Sequence, residues 1–322
     1  MGYFGSILLT RSSTRAALLP YIDRIGVQHR HLRELRDGWQ ILETSNLISD
    51  PPDLVAALQD LTIAWNAPAL AAYVNDGDCA QVHWSLPGTP VSSVHLPQPA
   101  STDDCGYMHR PANILTRAAA DVAGDLTTWA AVCGLPVAQR RLVRTIGYDY
   151  QEGEYLSTDD QVFELIRSLG FADIPVSRPY TVDPYAQPFD VVTLNMIGLA
   201  FRAHSQAAAR RQGYAELAGP EQSWEAEAIR LSADVFAAAF ADEADLQALA
   251  ERALWVQTAE TAAREGTAPP PREAEPGVTN TIRLAADLAA SQLAMHRRRP
   301  SVFDRDYHAG TGKWPELTGD QA

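Results

Sequence analysis

The chain has 322 residues, 46% of them hydrophobic and 20% charged, and its 26 basic and 40 acidic side chains give a net charge of −14. That length favours two globular domains with real cores, and the acidic balance argues against a general nucleic-acid binder. No apolar run reaches the ~20 residues of a membrane span, and three cysteines without CxxC spacing (Cys79, Cys105, Cys133) argue against a disulfide scaffold and for a cytoplasmic setting.

In chain order, Tyr3 to Thr10 reads as a first strand and Ser12 to Ile25 as a short helix kinked near Pro20 and stopped by Gly26. Val27 to Leu35 and Trp39 to Thr44 flank Asp37-Gly38, a hairpin signal, although Arg33, Glu34 and Arg36 scatter charge over both faces. Asp50-Pro51-Pro52-Asp53 predicts a helix start with Asp50 as the cap, followed by a Leu54, Leu58, Leu61, Trp65 stripe.

The clearest signal is Ala67 to Leu86, where Asp76-Gly77 separates two runs of strand formers. Both a two-residue and a four-residue loop pair Val74 with Cys79. Ala69, Ala71, Tyr73, Ala80, Val82 and Trp84 then form one apolar face, expected on the core with Trp84 against the Leu54/Leu58/Leu61 stripe. Leu70, Ala72, Val74, Cys79, Gln81 and His83 form a mixed, half-wet face. A strand is expected over Val91 to Leu96.

Pro111 to Cys133 has a helical stripe closed by Gly134, Pro136 to Ile146 predicts a short helix exposing Arg140, Arg141 and Arg144, and Thr158 with Gln161 matches a capping box ahead of a helix ending at Gly170. Phe171 to Phe189, rich in Pro, Asp and Tyr, reads as a linker. Beyond it come alanine-rich helical patterns over 190–211, 222–241, 242–265 and 279–298. The predicted fold is α+β: an N-terminal domain over 1–170 with a mostly antiparallel sheet and helices on one face, a linker over 171–189, an all-α helical bundle over 190–298, and a polar tail over 299–322.

Ligand-type side chains are densest between Asp76 and His109, and His83, His95 and His109 are the candidates for a zinc or iron site. Cys79 and His83 on one strand stand about 13 Å apart, too far to share an ion, whereas His83 can meet His95 across adjacent strands. The plainer reading makes the acids turn residues and the histidines edge polar groups. Tyr148 to Asp160 mixes three tyrosines with five carboxylates. Tyr148, Asp149, Tyr150, Glu152, Glu154 and Tyr155 are the candidate partner-binding residues, since aromatic anchors mixed with charge suit a basic partner. A solvated loop leading into a helix explains the same residues. The sequence carries no GxxxxGK[ST], GxGxxG after a strand, GxSxG, HExxH or EF-hand loop.

The opening MGYFGSILLTRS, the DGWQ turn and the block APALAAYVNDGDCAQVHW resemble a loose set of uncharacterised proteins from high-GC bacteria, over the first half of the chain. A chain whose only lysine is Lys313 fits that source; the resemblance implies no activity, catalytic residue or cofactor. Three functions are carried forward. The first is a non-catalytic acidic interaction protein, an immunity or inhibitor module binding a basic protein, with a homo-oligomer compatible. The second is an enzyme of unfamiliar type with a His/Asp/Cys site where sheet and helical half meet. The third is a receptor with a ligand pocket in the helical half.

Overall fold

In the computed structural model, which describes residues 3–26, 28–45, 52–97, 117–148, 157–171, 180–181, 191–211, 213–238, 241, 245–269 and 271, the sheet is built around β1, Gly5–Arg11. Ile7, Leu8 and Leu9 are consecutive apolar residues of this strand, so both of its faces need cover, and all three are fully buried. Gly5 is there for close approach: a Cβ would run into the Thr44 carbonyl oxygen and the Tyr3 hydroxyl.

β1 pairs antiparallel with β3 (Trp39–Ser45) and with β4 (Ala69–Asn75). β2 (Gln28–Glu34) joins outside β3, while β5 (Cys79–Ser85) and β6 (Ser92–Leu96) extend the other side. A two-residue β7, Tyr180–Thr181, lies inside the stretch expected to be a linker and pairs with β2. The order is β6-β5-β4-β1-β3-β2-β7, with every pairing antiparallel.

Helices cover both faces of this sheet, not one. Leu8, Leu32, Leu42, Ala69, Ala71 and Tyr73 pack under the 3-10 turns Ala16–Leu18 and Ile22–Arg24 and under Leu54, Leu58 and Leu61 of α1, Leu54–Trp65. On the opposite face Ile7, Leu9, Ile41, Leu70, Val82 and Trp84 pack under α2 (Ala119–Val132), α3 (Gln139–Ile146) and α4 (Thr158–Ser168). The fold is therefore α+β with its sheet between two helical layers. β1, with Leu8 on one face and Ile7 and Leu9 on the other, all buried, fits cover on both sides.

The central hairpin departs from the expected register. Asn75 pairs with Cys79, so the turn holds three residues, Asp76, Gly77 and Asp78, and the expected Val74–Cys79 pairing does not form. Asp76 and Gly77 have the positive φ (52° and 75°) that the Asp-Gly signal demands, and the Asp78 N–H donates to the Asn75 carbonyl at 3.0 Å. Two bonds outside the hairpin hold this turn: the Gly77 N–H donates to the Tyr3 carbonyl at 3.2 Å, and the Gly77 carbonyl accepts from the Thr158 N–H at 2.7 Å.

A one-residue slip exchanges the faces of a strand. Leu70, Ala72 and Val74 share a face with Ala80, Val82 and Trp84, and His83 pairs with Ala71 on the α1 side. Trp84 is buried as expected, but in the α2–α4 layer, not against the Leu54/Leu58/Leu61 stripe. The slip gathers the bulky apolar side chains of both strands under three helices.

Three local expectations change as well. Ser12 to Ile25 forms the two 3-10 turns, not one helix. The cap of α1 is Asp53, whose side chain accepts from the Ala56 N–H, not Asp50, which lies outside the described residues. No capping box closes on α4, because the Gln161 amide donates instead to the Thr145 carbonyl of α3.

α5 (Val191–Arg211), α6 (Ala215–Ala218), α7 (Ser223–Ala238) and α8 (Leu246–Glu265) follow, with Leu199, Trp224, Leu231 and Val256 in one apolar seam. α7 runs beside β2. The helix expected over 279–298 lies outside the described residues, and among those described no helix is long and apolar enough to cross a membrane.

Candidate functional site

The end of the molecule that the sequence marked for partner binding is organised by Gly77. Its bond to the Thr158 N–H ties the β4–β5 turn to the start of α4, which carries Asp159 and Asp160 in its first turn. Carboxylates there are favoured by the positive end of the helix dipole. Asp76 and Asp78 are exposed on the turn, Asp160 is half-buried and Asp159 is buried. One backbone hydrogen bond therefore joins the turn that carries Asp76 and Asp78 to the start of α4.

Of the predicted partner-binding residues, Tyr148 is buried, only 4% exposed, just after α3. Asp149, Tyr150, Glu152, Glu154 and Tyr155 lie outside the described residues. On α3, Arg141 forms a charge-assisted hydrogen bond with Glu164 of α4, so this arginine does not need the loop acids as partners.

The histidines form a second grouping. His83 faces Ser93 across β5 and β6, with its Nδ1 2.6 Å from the Ser93 Oγ, and both residues are buried. Burial beneath α1 pushes the His83 pKa down to about 4, against the opposing pull of Asp53, so the ring is neutral at neutral pH. His95 lies diagonally across on the same face, and its Nδ1 is 2.7 Å from the Pro97 carbonyl. A carbonyl only accepts, so His95 Nδ1 carries a proton.

Both Nδ1 atoms are thus engaged, and His109 lies outside the described residues. Among the described residues no group of three or more His, Cys, Asp or Glu side chains is placed to hold a metal ion. His83 and His95 also sit on β5 and β6, at the opposite end of the sheet from β2, the strand that α7 meets.

One charged pair escaped the sequence reading. Arg33 and Glu43 are fully buried on adjacent strands, with the guanidinium Nε and one terminal nitrogen each 3.1 Å from Glu43 Oε1 and the Arg33 Cζ 5.0 Å from the Phe163 ring centre of α4. The signal was present in the Asp37-Gly38 hairpin: Arg33 pairs with Ile41, which makes Glu43 its diagonal neighbour on the same face. Burial pulls the pKa of half-buried Arg167 down, helped by nearby Arg141 and Arg33 and opposed by Glu164 and Asp160.

No family model, curated protein or solved structure matches the chain.

Proposed function

We propose that the protein is a non-catalytic acidic interaction module that captures a basic protein partner, as an immunity or inhibitor protein does, through the surface around the β4–β5 turn and residues 148–160. The observation that carries this reading is the Gly77–Thr158 hydrogen bond, which brings exposed Asp76 and Asp78 to the mouth of the acidic stretch. By sequence, the stretch that precedes α4 adds the carboxylates of Asp149, Glu152 and Glu154, and Tyr150 and Tyr155 are the aromatic anchors of the proposal. The negative charge serves long-range steering, and the aromatic area serves residence time. The helical half, taken as a bundle domain in its own right, carries a second surface, and a homo-oligomer is compatible with this arrangement.

The test is affinity purification of the full chain at low salt, followed by kinetics with the recovered partner. Neutralising Asp76, Asp78, Asp149, Glu152 and Glu154 together slows association about tenfold at low salt and flattens its salt dependence, while Tyr150→Ala or Tyr155→Ala speeds dissociation. An on-rate at low salt that ignores the five substitutions overturns the proposal.

A second reading, an enzyme using His83, draws on the buried Ser93–His83 contact. A ring with a pKa of about 4 is a weak general base at neutral pH, since efficient bases lie near the working pH. The interaction reading is preferred on that ground.

A further inference from the structure

α5 and α8 pack side by side but do not close on each other along their whole length. Between them lies a partly open cleft of about 480 Å³, within the roughly 300–1,000 Å³ typical of small-molecule sites. Gly198, Leu199 and Arg202 of α5 form one wall, at helical spacing; Glu260, Thr261 and Arg264 of α8 form the other. Leu199 is buried and gives an apolar floor.

Gly198 is the first clue. Glycine weakens the middle of a helix, and here a Cβ would meet nothing within 4 Å, so packing does not demand it. Its effect is to leave the wall of the cleft open. The charges are the second clue. In a chain of net charge −14, the helical half spends its cations on acids: Arg252 on Glu227 and Asp234, Arg210 on Glu225. Arg202 pairs with Glu260 at the cleft, which holds that guanidinium in place and neutralises the one carboxylate there. Arg264 is exposed and makes no hydrogen bond or ion pair among the described residues, so the cleft keeps one net positive charge. Thr261 and Gln257 line it as well, adding a hydroxyl and an amide.

We propose that this cleft binds a small molecule with a single oxyanion head, a carboxylate or a phosphate, held by Arg264 with Arg202 and oriented by Thr261 and Gln257. Arginine is suited to such heads because its planar fork matches two oxygens at once. The site is independent of the acidic surface at the β4–β5 turn.

The experiment titrates the full chain with sodium phosphate and, separately, sodium butyrate, at constant ionic strength balanced with sodium chloride, by calorimetry. The variants are Arg264→Gln, an exposed change, and Gly198→Leu, whose Cβ meets nothing within 4 Å and whose side chain takes up cleft space. Saturable binding of one probe is expected, weakened at least tenfold in each variant while circular dichroism and the ligand-free melting temperature show both folded. The probe that binds tells a phosphate head from a carboxylate one. Absence of saturable binding for both probes, or binding that survives either substitution, overturns the assignment.

Discussion

Protonation of His83 is the sharpest test of its burial in the sheet, because only a buried ring stays neutral down to about pH 4. In the unfolded chain it binds a proton below about pH 6.5; folded, burial delays protonation to about pH 4. Between those values the unfolded state holds more protons, so stability rises with pH across that window. The contribution is fully present above pH 6.5 and is lost as the pH falls to 4. The shift of about 2.5 units, at 1.36 kcal/mol per unit, is worth about 3 kcal/mol by pH 4. The assay is urea unfolding at pH 7, 5.5 and 4, followed by tryptophan fluorescence, for the wild type and for His83→Gln. Other carboxylates titrate in the same range, so the difference between the two proteins is the quantity to read. His83→Gln is expected to be less stable than wild type at pH 7 and to close that gap by about 3 kcal/mol at pH 4. A gap that stays constant with pH would refute the burial of His83.

Further outcomes follow from the two helical layers. Trp84→Ala should cost about 3–5 kcal/mol, as for a large core side chain. Its effect should add to that of Leu58→Ala within about 0.5 kcal/mol, since the two lie on opposite faces of the sheet; a strong coupling in the double mutant contradicts the observed register. Glu43→Leu leaves the Arg33 guanidinium buried without its counter-charge and should cost about 3–5 kcal/mol, whereas Arg33→Met with Glu43→Leu should recover most of it. A double mutant as unstable as the single would show that the pair is not the reason both charges are buried.

The sequence by itself determined what short-range sterics determine. Asp-Gly at 37–38 and at 76–77 could be read as turns because both need positive φ, and both have it. The i, i+4, i+7 stripe of Leu54, Leu58 and Leu61 faces the sheet, since that spacing permits only one buried side. The run Ile7-Leu8-Leu9 puts apolar side chains on both faces of its strand, and all three are buried.

Tertiary structure decided whatever depended on residues far apart in the chain. The turn at Asp76 to Asp78 has three residues and is held by Tyr3 and Thr158 through both backbone groups of Gly77, and neither contact is visible in the local sequence. That single residue sends Trp84 to the α2–α4 layer and His83 under α1. The pairing of Arg33 with Glu43, the neutral state of His83 and the meeting of Asp76 with the start of α4 all follow from which segments share a face. Local propensity cannot settle such choices, because a strand offers either face at similar cost until the rest of the chain is folded against one of them.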